Sequence, residues 1–166
     1  MTERRRPDPQ RLAAWRDFLQ GHSRVMAELE RELRAGTGLS LAQYDVLLRL
    51  SEAPDQQLRM SELSAAVLYT TGGVTRLIDR MVAAGLVARE PSPTDRRSVL
   101  ATLTPAGRDL LTRAGRRHLA GIQRHFAAFL PDDELPPVAR FLARLARAET
   151  GEHHEDAPGE RDESTT

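Results

Sequence analysis

The sequence predicts a mainly α-helical chain interrupted by one small β-hairpin. Three observations carry that expectation. Apolar residues recur close to every 3.6 positions over most of the 166 residues, helix-start signals stand at Ser40 and Thr104, and two short alternating segments are joined by the basic turn PSPTDRRS. That length suits one domain with a sizeable core.

Each element follows from its own pattern. Residues 1–9 are charged and carry Pro7 and Pro9, which reads as a loose arm. From Gln10 to about Ala35 the stripe Leu12, Trp15, Phe18, Leu19, His22, Val25, Met26, Leu29 and Leu33 predicts a long amphipathic helix, ended by Gly36 and Gly38. Ser40 with Gln43 forms a capping box for a second helix through Tyr44, Leu47, Leu48 and Leu50, which Pro54 stops. Leu58, Arg59 and Met60 can pair as a single strand, after which Ser61 is expected to cap a third helix with Leu63, Ala66 and Val67 inward.

A fourth helix is expected from about Thr71 to Ala84, with Val74, Leu77, Ile78 and Met81 inward and Thr75, Arg76, Asp79 and Arg80 outward. Gly85 is a natural residue for the left-handed turn that follows a helix. Leu86–Glu90 and Val99–Leu103 form the hairpin, and Thr104 before Pro105 opens a fifth helix of near 25 residues, reaching about Leu130. Pro131 breaks it. A sixth helix, capped by Asp132 or Asp133, carries Leu135, Val138, Phe141, Leu142 and Leu145 on one face. Residues 148–166 are acidic and polar, the composition of a disordered tail.

Charge is distributed unevenly behind a formal net of zero. Arg59 to Arg117 holds ten arginines against five acids, whereas Glu149 to Thr166 holds seven acids against Arg161 alone. The basic middle is where a polyanion would bind. All 24 basic residues are arginine, with no lysine and no asparagine, a bias that reads as a GC-rich genome rather than as selection for guanidinium chemistry.

Cysteine is absent, which excludes disulfides, thiolate metal sites and a thiol switch. No apolar run approaches the roughly 18 residues of a membrane span, so a cytoplasmic protein without membrane contact is expected. Motifs of nucleophilic hydrolases, phosphate loops and zinc peptidases are missing, which speaks against an enzyme. No cofactor or metal is expected. His153 and His154 between Glu152 and Glu155 read as solvated charge rather than a metal site.

Tyr69 to Thr104 is the most informative stretch. A helix with a Thr- and Gly-rich start and outward arginines, followed at once by a hairpin with a basic tip, can place a helix end in the major groove of double-stranded DNA and a loop in the adjacent minor groove. Glycines permit close backbone approach, helix-start N–H groups attract phosphate, and arginine can read guanine bidentately. The competing readings are that the glycines merely serve a turn and that the tip is a solvated hairpin. A winged-helix module that binds protein instead would need an apolar outer face on the fourth helix, where Thr, Gly and Arg stand.

The ordered run LSLAQYDVLLRL, MSELSAAV, TTGGVTRLIDRMVAAGLV and DRRSVLATLTPAG resembles the MarR family of bacterial winged helix-turn-helix transcription regulators. The resemblance covers residues 10–146 in architecture and 39–108 in motif. It implies a homodimer on a palindromic promoter site, most often a repressor released by a small aromatic or phenolic effector. On the family pattern, Thr71, Gly72, Gly73, Thr75 and Arg76 fall on the recognition helix, with Arg80 one turn further as either a backbone contact or a surface residue. Arg97 matches the wing-tip arginine. Asp95 reads as orienting an arginine, and Arg96 suits either role.

The chain then divides into an arm (1–9), a first dimerisation helix (10–38), the winged helix-turn-helix unit (39–104), C-terminal dimerisation helices (105–147) and the tail (148–166). Two-fold symmetry gives the outer helices somewhere to bury their stripes. The family's usual effector pocket makes Trp15, His22, Tyr44 and His118 candidates, against the reading that they are core or interface residues; His118 and His125 repeat the seven-residue spacing of Trp15 and His22.

Overall fold

A computed structural model describes residues 8–67, 73–92, 95 and 98–147. The element order is α1 (Pro9–Thr37), α2 (Leu41–Glu52), β1 (Gln57–Arg59), α3 (Met60–Ala66), α4 (Val74–Ala83), β2 (Val87–Pro91), β3 (Val99–Leu103), α5 (Pro105–His125) and α6 (Leu135–Arg147). Residues up to Phe129 form one compact unit and those from Leu130 a second. Among the described residues no helix is long and apolar enough to cross a membrane.

Local chemistry explains most boundaries. Asp8 caps α1 by accepting the Gln10 N–H (2.8 Å), so the helix starts at Pro9, inside the segment expected to be a loose arm. The helix runs through Gly36 and ends only where Gly38 turns left-handed. Ser40 and Gln43 make the expected reciprocal box, at 3.1 and 2.9 Å. Ser61 is not the cap of α3. The helix begins at Met60, and Glu62 reaches back to accept the Arg59 N–H at 2.8 Å, which satisfies an orphan donor from the opposite side.

The sheet is antiparallel with order β1-β3-β2, Leu58 facing Ala101 and Val87 facing Leu103. Behind it, α4 ends in a Schellman turn, with Leu86 N–H donating to the Met81 carbonyl and Gly85 N–H to that of Val82, both at 2.9 Å. Thr104 then acts twice. Its hydroxyl accepts the Gly107 N–H (3.0 Å) to cap α5 and donates to the Gly85 carbonyl (2.7 Å), tying the start of α5 to the end of α4. Gly107 is required there because a Cβ would lie 2.2 Å from the Leu86 carbonyl oxygen.

α5 ends at His125, several residues short of the expected Leu130, and a separate 3-10 turn covers Ala127–Phe129. α6 starts at Leu135, with Leu135 N–H donating to the Pro131 carbonyl, so neither Asp132 nor Asp133 is its cap.

One core joins the first unit. Leu29 and Leu33 of α1 pack with Leu47 and Leu50 of α2, Leu63 of α3, the α4 stripe Val74, Leu77, Ile78 and Met81, and Ala101 and Leu103 of β3. Ile78 and Met81 have no exposed surface, and burial of side chains this size stabilises by about 1.5–3 kcal/mol each. That anchoring fixes which face of α4 points outward.

Candidate nucleic-acid interface

With one stripe of α4 sunk in the core, Gly73, Thr75, Arg76, Asp79 and Arg80 are all exposed on its other side. The helix begins at Val74, three residues later than the expected Thr71. Gly73 precedes it at φ 125°, a conformation that side-chain-bearing residues rarely adopt, so this glycine serves the turn into the helix rather than lying within it. Thr71, Gly72, Arg96 and Arg97 lie outside the described residues.

The hairpin is braced against α4. Arg89 of β2 places its guanidinium 2.5 Å from the Asp79 carboxylate and 3.4 Å from the Thr75 carbonyl. The pair is partly exposed, so its strength is of the order of 0–1 kcal/mol, but it neutralises the one acid on the outer face of α4 and links helix to hairpin. At the hairpin tip Asp95 accepts the Ser98 hydroxyl (2.6 Å), while its carbonyl takes the Ser98 N–H (2.9 Å) and Ser92 N–H donates to the Ser98 carbonyl (3.0 Å). Asp95 thus ties itself to Ser98 across the hairpin tip.

Two surface hollows flank this face. One, about 430 Å³, is lined by Arg59 and Ser61 at the start of α3, Thr75 of α4, and Arg89 and Ser98 of the hairpin. The other is an open cleft of about 670 Å³ bounded by Glu30 and Arg34 of α1, Ser40 before α2, and Arg76, Leu77 and Arg80 of α4. Glu30 is held in the cleft wall by the Leu41 N–H (2.6 Å) and by Arg34. Arg76 and Arg80 therefore belong both to the outer face of α4 and to a cavity against α1.

The four effector candidates occupy two other settings, and none lines the cleft. Tyr44 is buried and packs on His118 with ring centroids 4.7 Å apart. Burial pushes the His118 imidazole below its ordinary pKa, which favours the neutral ring, and its Nδ1 is enclosed without a hydrogen-bond partner. Trp15, 52% exposed, instead stacks on Phe18, which in turn meets the exposed His22; these belong to an uncovered aromatic face of α1.

Arg59, Ser61 and Arg89, which line the smaller hollow, carry no signal in the sequence that assigns them to this face. Arg59 and Arg89 are legible there as strand residues and as part of the basic middle, not as members of this face. The Arg89–Asp79 pair spans ten residues across a turn, with no periodicity to reveal it.

The MarR family profile matches residues 37–98. The HTH-type transcriptional regulator YkoM of Bacillus subtilis is 32% identical over 97 residues, covering 58% of this chain and 62% of YkoM, so the chain spans less than two thirds of that relative's length. Among solved structures, AbsC, a MarR family regulator from Streptomyces coelicolor, matches with a TM-score of 0.77 and 31% identity, over 86% of this chain and 95% of AbsC. Sco3205, a MarR family regulator of the same organism solved in complex with DNA, also scores 0.77, with 25% identity over 90% of this chain and 95% of its own. A profile match centred on the helices and hairpin just described, and likeness along nearly all of AbsC, agree with one another: the chain belongs to the MarR family of transcriptional regulators.

Proposed function

We propose that the protein is a cytoplasmic, homodimeric repressor that binds a palindromic promoter site and is released by a small aromatic or phenolic effector. The exposed face of α4 carries this reading. Thr75 and Arg76 offer a hydroxyl and a guanidinium to base edges, and Arg80 lies one turn beyond. Two α4 helices would enter successive major grooves with half-site centres about 10 bp apart, while Arg96 and Arg97 approach the flanking minor grooves. DNA bound to Sco3205 supports the assignment of this class of surface.

Dimerisation is supported by apolar surface outside the reading unit. On α1 Trp15 and Leu19 are exposed, as are Leu119, Phe126 and Phe129 at and beyond the end of α5. On α6 Leu135, Phe141 and Leu145 are exposed. Exposed apolar side chains of that kind on helices outside the reading unit support an interface with a second copy.

For release, the cleft between α1 and α4 offers the most direct route. A ligand held there would contact Arg76 and Arg80 and bias the placement of the reading helix, shifting the population away from the DNA-bound form. The Tyr44–His118 pair and the Trp15–His22 face are the other places for an aromatic ligand. The test is recovery of bound promoter fragments from the host genome. A shared palindrome is expected, and recovery of DNA without any shared palindrome would contradict the reading.

A further inference from the structure

A cluster unrelated to the reading face joins α1 to the end of α5. Glu28 and Glu32 stand one turn apart on α1, and His125 is the last residue of α5. One ligand atom from each lies within 4.8 Å of the others, and all three residues are half-buried. The helices approach closely here because of Gly121: a Cβ at that position would fall 2.7 Å from Leu29 Cδ2 and 3.3 Å from Glu32 Oε2. One turn after that contact, His125 meets Glu32 with its Nε2 2.9 Å from Oε1.

We propose that Glu28, Glu32 and His125 form a site for a divalent transition-metal ion, zinc by chemical class, that clasps the end of α5 to the middle of α1. One imidazole nitrogen and two carboxylate oxygens suit zinc, cobalt or manganese and leave room for water, whereas calcium would require more oxygen ligands. Tetrahedral zinc holds neighbouring ligand atoms about 3.3 Å apart, so His125 and Glu32 need separate only slightly while Glu28 closes in.

Two arginines now occupy the carboxylates. Arg31 donates to Glu28 at 2.5 Å, and Arg124 to Glu32 at 2.6 Å. Both side chains are more than half exposed, at 65% and 56%, so each can swing into water without leaving a buried charge behind. The arginines act as competitors that the ion displaces, and they set the concentration at which it binds.

The experiment is a cobalt(II) titration of the full chain, read by visible d–d absorption. About one ion per chain with absorption of a mixed nitrogen and oxygen site is expected. His125→Ala should weaken binding tenfold or more, by loss of a ligand. Arg124→Ala, an exposed change that the fold tolerates, should tighten it. The double variant His153→Ala/His154→Ala should bind as the parent does. No binding by the parent, unchanged binding in His125→Ala, loss in the tail double variant, or equal affinity of Arg124→Ala and parent would each overturn the proposal.

Discussion

The proposed base reading rests on Arg76. It is exposed, sits at the third position of α4 and is not needed by the core, so its removal tests recognition rather than folding. Arg76→Ala should lose about 1–3 kcal/mol of discrimination between the recovered site and a scrambled duplex, measured at one salt concentration. Arg97 has a different task, and its change to Ala should lower affinity on all duplexes while reducing the slope of log K against log salt by about one. An unchanged slope would remove the wing tip from the footprint. His118 gives a prediction in pH. Its folded pKa lies below the ordinary 6.5, so above that value both states hold a neutral ring and pH has no leverage through it. On acidification the unfolded chain takes up the proton first, hence stability falls from about pH 6.5 downward. Chemical denaturation of His118→Phe between pH 5 and 7, a window set about that value, should show a shallower acid-side loss than the parent.

Elements follow the sequence wherever their determinants are local. The Ser40–Gln43 box, the Thr104 cap and the α4 stripe each lie within eight residues, and each forms as the pattern implies. What could not be read depended on partners distant in sequence or on a single backbone angle. Gly73 places the start of α4 at Val74 through its φ of 125°, whereas the start of α3 is a local exception, where Glu62 three residues beyond Arg59 takes the part expected of Ser61. The Asp79–Arg89 brace and the convergence of Glu32 with His125 arise only once helices pack. The start of α4 offers its own check. Space around Gly73 is open, so Gly73→Ala strains the backbone alone, and thermal unfolding should report a loss of about 1–3 kcal/mol. A parent-like melting temperature would mean that the turn into α4 adopts another conformation.

At the scale of the molecule, a neutral total conceals a basic reading unit and an acidic tail, and a compact core conceals helices with uncovered apolar faces. The proposed two-fold assembly, presenting two copies of α4 to one duplex, would account for both. Fold and reading helix were legible in advance because amphipathic periodicity decides which face is buried. The cleft beside Arg76 and Arg80 was not, since it exists only between α1 and α4. The most direct measurement is the stoichiometry and affinity of the chain on the recovered palindrome and on the same duplex with one half-site scrambled. Two chains per duplex and a loss of at least about 3 kcal/mol on scrambling are predicted, given about 1–3 kcal/mol for each altered base pair. A single chain per duplex, bound equally well to one half-site, would contradict the account.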